Sequence, residues 1–175
     1  MEEVVLVDEQ NNEIGTAPKD TVHTKDTPLH RGFSVFIFND KKELLVTRRA
    51  AVKKTFPGVW TNTVCGHPGK DEQVIASVRR RLQDELGLVV RDVVEVSASY
   101  RYRFADKSGV VENEICPIFI GYTNDTPTPK SDEVDEWKWM KWEKFLQDIE
   151  SNPDIYSPWA KEEAVILQHS NPELQ

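Results

Sequence analysis

Residues 66–88 read GHPGKDEQVIASVRRRLQDELGL and combine a helical apolar stripe with a row of charged side chains. Between positions 71 and 86 the apolar residues recur every three or four positions, which is the period of one helix face. They are Val74, Ile75, Val78, Leu82 and Leu86. Gly87 follows directly, and glycine is the residue that most often ends a helix. The pattern predicts a helix over residues 71–86 with one buried face.

The charged residues of this segment also have a recognisable spacing. Arg81 and Glu85 lie one helical turn apart on the same side, so one can touch a phosphate while the other holds its magnesium ion. An exposed ion pair is the structural alternative. The spacing as a whole resembles the Nudix box, a loop and helix that present carboxylates to a divalent cation bound to a diphosphate. The matching residues are Gly66, Glu72, Arg80, Leu82, Asp84, Glu85, Gly87 and Leu88.

Two positions depart from the Nudix pattern. Arg81 stands where the pattern has a glutamate, and Asp84 replaces the first of its paired glutamates. A Nudix hydrolase of a nucleoside diphosphate derivative would need a carboxylate in place of Arg81 to gather its catalytic metal. Hydrolysis is therefore the alternative function, and the departures count against it.

Strand-like segments surround the predicted helix. Six segments are rich in β-branched and aromatic side chains and predict strands: residues 4–7, 33–38, 44–47, 93–102, 115–122 and 137–142. Two further segments, residues 143–149 and 158–168, predict helices. Strands mixed with helices indicate an α+β fold, sandwich-like, with helices packed on a mixed sheet, and the resemblance to the Nudix box implies the Nudix fold. A length of 175 residues without a linker-like stretch predicts a single domain over residues 1–175.

The composition excludes several classes of partner. A formal net charge of −8 argues against general affinity for nucleic acid or for anionic membranes, since both require a basic surface. The sequence has no secretory signal and no apolar run long enough for a membrane helix, which predicts a cytoplasmic protein. In that compartment Cys65 and Cys116 are expected to be free thiols.

Three of the four histidines lie close to a cysteine or to the start of a strand. His23 and His30 flank the loop before residue 33, and His67 stands two residues after Cys65. Glu112 and Glu114 are two positions apart, so their side chains share a face if their segment is extended. Three imidazoles and two carboxylates suit a first-row divalent ion such as manganese, iron or zinc.

Five segments together resemble type I isopentenyl diphosphate isomerases, and the resemblance runs from about residue 5 to residue 159. They are LLVTRRA (44–50), FPGVWTNTVCGHP (56–68), YRYR (100–103), VENEICP (111–117) and SPW (157–159). The resemblance implies a Nudix fold and the interconversion of isopentenyl and dimethylallyl diphosphate by proton addition and removal. The partner it implies is a small diphosphate substrate, handled by a monomer or a homodimer.

The same resemblance assigns roles to residues of this chain. It implies that Cys65 and Glu114 transfer the protons, while the sequence leaves open which of them is acid and which is base. Mn²⁺ or Zn²⁺ would be bound by His23, His30, His67, Glu112 and Glu114, and Mg²⁺ on the substrate diphosphate by Glu85. Substrate contacts would come from Lys19, Arg49, Lys53, Arg81, Tyr102 and Trp159, with Tyr102 as a hydrogen-bond partner of the catalytic glutamate and Trp159 as an aromatic wall.

A non-enzymatic metal-binding module is the second alternative. In that interpretation Cys65, His67 and the other two histidines would form a structural zinc site. Structural zinc sites usually have four ligands with paired cysteines, whereas this cluster has a single thiol beside carboxylates. The sequence therefore favours a catalytic site.

Overall fold

The computed structural model describes residues 2–171, whose strands form two sheets. The strands are β1 (Glu3–Val7), β2 (Glu13–Pro18), β3 (His30–Arg31), β4 (Phe33–Phe38), β5 (Glu43–Arg49), β6 (Trp60–Thr61), β7 (Val64–Gly66), β8 (Val93–Ser97), β9 (Arg101–Ala105), β10 (Val111–Ile115), β11 (Ile118–Tyr122) and β12 (Val134–Lys141). The helices are α1 (Lys19–Val22), α2 (Val74–Leu86), α3 (Trp142–Ser151) and α4 (Pro158–Ser170), with a 3-10 turn at Pro153–Ile155. None of these helices is both long and apolar enough to cross a bilayer.

Both sheets mix parallel and antiparallel pairs. The first has the order β2-β1-β3-β10-β9, and β10 runs parallel to β3. The second has the order β12-β5-β4-β11-β8, with β6 added to β5, β7 added to β4, and β11 parallel to β4. The predicted mixed sheet is thus confirmed, although the strands are divided between two sheets.

Helices cover both faces of the second sheet. Every residue of β4 is buried, and its side chains alternate between two cores. Phe36 and Phe38 belong to the core that includes residues of α3 and α4, whereas Val35 and Ile37 belong to the core that includes residues of α2. A strand enclosed on both faces has no polar side, which explains why Ser34 is the one polar residue of its six. The layers form the predicted α+β sandwich.

Helix α2 ends where the sequence predicts and begins three residues later. Gly87 adopts φ +66°, and its N–H donates to the Gln83 carbonyl at 2.9 Å. A side chain at Gly87 would also collide with Thr128, since an added Cβ would lie 2.0 Å from Thr128 Oγ1. At the other end, Asp71 has φ +60°, a left-handed conformation that a helix cannot include. The predicted first turn is therefore a loop.

Two segments that were predicted as single strands are each divided between two strands. Residues 93–102 form β8 in the second sheet and the start of β9 in the first, and residues 115–122 divide into β10 and β11 in the same way. Cys116 and Pro117 separate β10 from β11, because proline has no N–H for a strand ladder. Each interruption carries the chain from one sheet to the other. Strand β2 and the short elements α1, β3, β6 and β7 were not predicted.

Candidate active site

Strand β10 carries the two carboxylates of the predicted metal site. Glu112 and Glu114 are two positions apart on this strand, so their side chains share a face. Both are buried, with 5% and 3% of their surface exposed. Burying two carboxylates so close together is costly unless cations or hydrogen-bond donors face them. The residues opposite them are therefore informative.

Three histidines from separate segments face these carboxylates. His23 follows α1, His30 lies in β3 directly opposite Glu114, and His67 follows β7. His67 Nε2 is 3.0 Å from Glu114 Oε1 and 3.2 Å from His30 Nε2. His23 Nε2 is 3.1 Å from a Glu112 oxygen. The fold thus brings together all five residues predicted as ligands.

Backbone carbonyls orient two of the imidazoles. His30 Nδ1 lies 2.9 Å from the Pro28 carbonyl oxygen, and His23 Nδ1 lies 3.3 Å from that of Lys19. A carbonyl can only accept a hydrogen bond, so each Nδ1 carries a proton, and each Nε2 is the ring nitrogen that faces the carboxylates. Such second contacts are typical of histidines that bind metal.

The donor set fits a divalent first-row ion. Ligand atoms about 2.1 Å from one ion stand about 3.0 Å apart at right angles, close to the separations observed. Ligand atoms of His23, His30, His67 and Glu112 all lie within 4.8 Å of one another. His23 Nε2 and one oxygen each of Glu112 and Glu114 are buried without a hydrogen-bond partner in the described part of the chain. A bound cation would satisfy these atoms.

The protonation states at the cluster also suit metal ligation. Burial would raise the pKa of Glu114, but hydrogen bonds with His30 and His67 bring it well below its ordinary value. Burial lowers the pKa of His67 to about 4, outweighing the neighbouring Glu114. Near neutral pH the carboxylate is therefore ionised and this imidazole is neutral, which are the forms that bind metals.

Gly32, which the sequence analysis did not single out, leaves room for Glu114. A Cβ at residue 32 would lie 1.8 Å from Glu114 Oε2 and 2.5 Å from its carboxyl carbon. The glycine follows His30 and Arg31 of β3, so the absence of a side chain lets this edge of the sheet pass close to the carboxylate.

Gly32→Ala is expected to displace the Glu114 carboxylate and to lower divalent metal affinity about 10-fold or more, because ligand geometry sets that affinity. Metal content per protein after dialysis, measured by atomic emission, checks this. Gly69→Ala is the matched control, because its Cβ would meet Glu72 at an ordinary 3.5 Å. Full metal content in Gly32→Ala would contradict a ligand role for Glu114.

Cys65 lies in β7, opposite Ser34 of β4. Its sulfur is 3.3 Å from Ser34 Oγ and 3.2 Å from Asn62 Oδ1. Burial, reinforced by the carboxyl of Glu163, raises the pKa of the Cys65 thiol well above its ordinary value. Cys65 and Cys116 are both free thiols, as expected.

One cavity of about 470 Å³ joins the thiol to the metal cluster. Cys65 and Glu114 both line it, together with His23, His67, Glu112, Tyr102 and Trp159. Lys19, Arg49, Lys53 and Arg81 line the same cavity, so most of the predicted site residues share one space. His30 and Glu85 do not line it. They lie behind it, His30 against Glu114 and Glu85 against Arg81.

Three of the predicted phosphate-binding cations are paired with carboxylates. Lys19 Nζ lies 2.7 Å from Glu2, and Lys53 forms an ion pair with Glu133. Arg81 is buried between three carboxylates, at 2.7 Å from Glu85, 2.8 Å from Glu133 and 3.2 Å from Glu2. The exposed Arg81 and Glu85 pair considered from the sequence is thus a buried network. The sequence offered no signal for Glu2 or Glu133, which come from distant segments.

Arg49 and the aromatic residues form the remaining wall. Arg49 donates from Nε and Nη2 to the carbonyls of Thr55 and Phe56, and its guanidinium carbon lies 5.7 Å from the centre of the Trp159 ring. Tyr102 stacks on Trp159 with ring centres 5.5 Å apart. Tyr102 also stands directly opposite Glu114 in the β9–β10 register. Its hydrogen bond to that carboxylate stays a prediction.

The fold and this cluster define the class of protein. Residues 28–160 match the NUDIX domain family. Solved structures agree on the fold: DR0079 from Deinococcus radiodurans superimposes with a TM-score of 0.75 over 97% of this chain and 99% of its own, at 16% identity. The MutT protein from Methanosarcina mazei Go1 has a TM-score of 0.63 over 85% of this chain and 96% of its own, at 22% identity.

Sequence relatives identify the particular family. The isopentenyl-diphosphate Delta-isomerase of Corynebacterium glutamicum strain R is 49% identical over 180 aligned positions, which cover 100% of this chain and 93% of that protein. The protein of the same name from Saccharopolyspora erythraea is 46% identical over 167 positions, covering 95% of this chain and 86% of its own. The chain belongs to the isopentenyl-diphosphate Delta-isomerase family of NUDIX domain proteins.

Proposed function

We propose that this protein interconverts isopentenyl diphosphate and dimethylallyl diphosphate by adding a proton at one carbon and removing one from another. One observation carries the proposal: the Cys65 thiol and the buried Glu114 carboxylate line a single cavity whose other residues include a group of basic side chains. The relatives that carry the name of this activity match nearly the whole chain. This arrangement matches a substrate with a short hydrocarbon tail and a charged diphosphate end.

In the proposed reaction Cys65 and Glu114 exchange one proton each with the hydrocarbon. The π electrons of the terminal double bond take a proton from one of the two groups. The other group removes a proton from the methylene on the far side of the central carbon, and that C–H electron pair forms the new double bond. The substrate gains and loses one proton, so its composition is unchanged and no oxidant is needed.

The cavity wall would protect the cationic intermediate state of the hydrocarbon. Protonating an alkene creates positive charge at a tertiary carbon, which must be kept from water. Trp159 is 1% exposed and stacks on Tyr102, so the two rings form a dry wall with an electron-rich face. Such a face attracts cations by several tenths to about 2 kcal/mol.

Two different sets of residues would hold the two metals. His23, His30, His67, Glu112 and Glu114 would hold Mn²⁺ or Zn²⁺, and Glu85 would hold Mg²⁺ with the substrate diphosphate. A divalent ion beside Glu114 would supply positive charge that favours the carboxylate form and would fix its orientation. Lys19, Lys53, Arg49 and Arg81 would bind phosphate oxygens, with the arginines able to use two parallel hydrogen bonds.

Glu85→Gln is expected to raise the magnesium concentration needed for half-maximal turnover by about 10-fold, because an amide is a weaker ligand for a hard cation than a carboxylate. Turnover measured across a magnesium titration checks this. Asp84→Asn is the matched control on the same helix. The Asp84 side chain is half exposed, and its ion pair with Arg80 is long, at 3.8 Å. An unchanged magnesium dependence in Glu85→Gln would remove this residue from the magnesium site.

The direct test of the function is NMR of isopentenyl diphosphate incubated with the purified protein, Mg²⁺ and Mn²⁺ in deuterated water. The expected result is dimethylallyl diphosphate, with solvent deuterium incorporated at the exchanging carbons. A parallel incubation with nucleoside diphosphate derivatives tests the hydrolase alternative. Release of phosphate or mononucleotide, without any rearrangement of isopentenyl diphosphate, would overturn the proposal.

A further inference from the structure

The carboxylate of Glu2 contacts two of the predicted phosphate-binding cations at once. One oxygen lies 2.7 Å from Lys19 Nζ, and the other lies 3.2 Å from Arg81 Nη1. Glu2 lines the same cavity as both cations. A phosphate group binds lysine and arginine with the same kind of contact, in which an anionic oxygen faces an N–H donor. Glu2 therefore occupies contacts that a diphosphate would use.

Arg81 contacts each of its three carboxylate partners with a different nitrogen. Arg81 Nε donates to Glu85 and Nη2 to Glu133, whereas Nη1 faces Glu2. Glu85 and Glu133 hold the guanidinium from enclosed positions, with 8% and 14% of their side chains exposed. The Glu2 side chain is 51% exposed. Glu2 is therefore the carboxylate that can leave Arg81 for water without moving through packed protein.

The main chain keeps Glu2 beside Lys19 independently of the carboxylate contact. The Lys19 N–H donates to the Glu2 carbonyl at 2.9 Å, and strand β1 begins at the next residue, Glu3. Freeing the two cations therefore requires a rotation of the Glu2 side chain and no movement of the main chain. Arg80 Nη1 lies 3.6 Å from a Glu2 oxygen and lines the adjoining pocket with it, so the displaced carboxylate has another partner.

Glu2 is an anion near neutral pH. Burial would raise the pKa of Glu2, but the hydrogen bond from Lys19 and the charges of Lys19 and Arg81 bring it below its ordinary value. A diphosphate bound beside this carboxylate would place two anions on the same two cations, and like charges at such distances repel. Binding of a diphosphate to Lys19 and Arg81 therefore requires Glu2 to leave them.

We propose that Glu2 competes with the substrate diphosphate for Lys19 and Arg81 and thereby sets the affinity of the enzyme for its substrate. Part of the binding free energy of the diphosphate replaces the contacts that Glu2 gives up. Removing the Glu2 charge is therefore expected to tighten binding, whereas a residue that only oriented the two cations would weaken binding when changed. The inference rests on the phosphate-binding part of the proposed function and not on proton transfer by Cys65 or Glu114.

Calorimetric titration with inorganic pyrophosphate and Mg²⁺ tests the competition without turnover. Glu2→Gln keeps the size of the side chain and removes its charge, so Kd is expected to fall about 3- to 10-fold, the scale of two ion pairs to a half-exposed carboxylate. Glu3→Gln is the matched control, because Glu3 is exposed and lines the adjoining pocket but not the cavity. Its Kd is expected to change by less than about 2-fold, since salt screens an exposed charge that makes no direct contact.

A double-variant cycle tests whether the effect of Glu2 acts through Lys19. The gain in affinity from Glu2→Gln is expected to be smaller in a Lys19→Met background, because one of the two contacts of Glu2 is absent there. A general effect of charge would give the same gain in both backgrounds. An equal gain in both backgrounds, a Kd raised by Glu2→Gln, or equal changes in Glu2→Gln and Glu3→Gln would each overturn the proposal. Thermal unfolding of each variant verifies folding.

Substrate kinetics separate this inference from the proposed function. With isopentenyl diphosphate as substrate, kcat/KM is expected to rise in Glu2→Gln by about the factor by which pyrophosphate affinity rises. A tighter pyrophosphate complex without any isomerisation would refute the proposed function and leave the competition standing. Isomerisation together with an unchanged or weaker pyrophosphate complex in Glu2→Gln would refute the competition alone. The competition would also be refuted if neither the wild type nor Glu2→Gln bound pyrophosphate.

Discussion

Cys65→Ala is expected to lower turnover of isopentenyl diphosphate by about 10³-fold or more, which is within the range attributed to one acid or base group. Alanine removes the thiol proton, while the neighbouring Ser34 and Asn62 hold their positions through their own backbone and side-chain contacts. The measurement is the rate of product formation by NMR, together with the exchange of substrate protons for solvent deuterium. Cys65→Ser is expected to be nearly as slow, because a serine hydroxyl changes its protonation state poorly near neutral pH.

Metal content separates this expectation from a structural zinc site. Cys65 is not among the ligand atoms that converge within 4.8 Å, so Cys65→Ala is expected to keep its metal, its fold and its diphosphate binding. A structural zinc site that used the thiol would lose metal and stability together. Cys116→Ala is a second thiol control and is expected to retain turnover. Retained deuterium exchange in Cys65→Ala would remove the thiol from the mechanism.

Glu114→Gln is expected to lose bound metal and to reduce turnover by about 10³-fold or more. The amide has no negative charge and cannot exchange a proton near neutral pH. In the wild-type protein the Glu114 carboxylate lies 3.0 Å from His67 Nε2 and 3.6 Å from His30 Nε2. An amide at this position would therefore weaken the proposed metal site directly. Metal per protein and single-turnover rates, measured with increasing Mn²⁺, check the two losses separately.

Glu112→Gln is the comparison that isolates proton transfer from ligation. Glu112 lies on the same face of β10 as Glu114 and contacts His23. It is proposed to act only as a metal ligand. Its variant is expected to lose metal affinity and to recover turnover when excess Mn²⁺ is supplied, whereas Glu114→Gln is not expected to recover. Full recovery of Glu114→Gln at high Mn²⁺ would show that Glu114 is a ligand without a role in proton transfer.

Local patterns predicted the elements that depend on near neighbours. The apolar period of residues 74–86 and the glycine after it were sufficient for α2, because a helix is defined by contacts within one or two turns. The bounds of β4 were predicted correctly from its β-branched and aromatic residues. Glu112 and Glu114 share a face for the same reason, since strand side chains alternate every two residues. The single-domain organisation and the cytoplasmic location stay predictions from the sequence.

Contacts between distant segments account for what was missed. Two strands were predicted as continuous because the sequence does not indicate which sheet each half joins, although Pro117 does mark the break within residues 115–122. Gly32 is required only because Glu114, 82 positions later, approaches its backbone. Glu133 pairs with Arg81 across 52 positions and with Lys53 across 80. Such pairs depend on the completed fold and leave no periodic signal.

The sequence by itself determined the family, the helix with the carboxylate and arginine, and which histidines, glutamates and thiol to examine, since these rest on residue types at fixed spacings. Only the tertiary structure decided how those groups are charged and held. Hydrogen bonds with His30 and His67 keep the buried Glu114 an anion, whereas burial makes His67 a neutral base, because removing water changes the cost of each charge. That cost depends on neighbours from several strands and helices, which no local stretch of sequence contains.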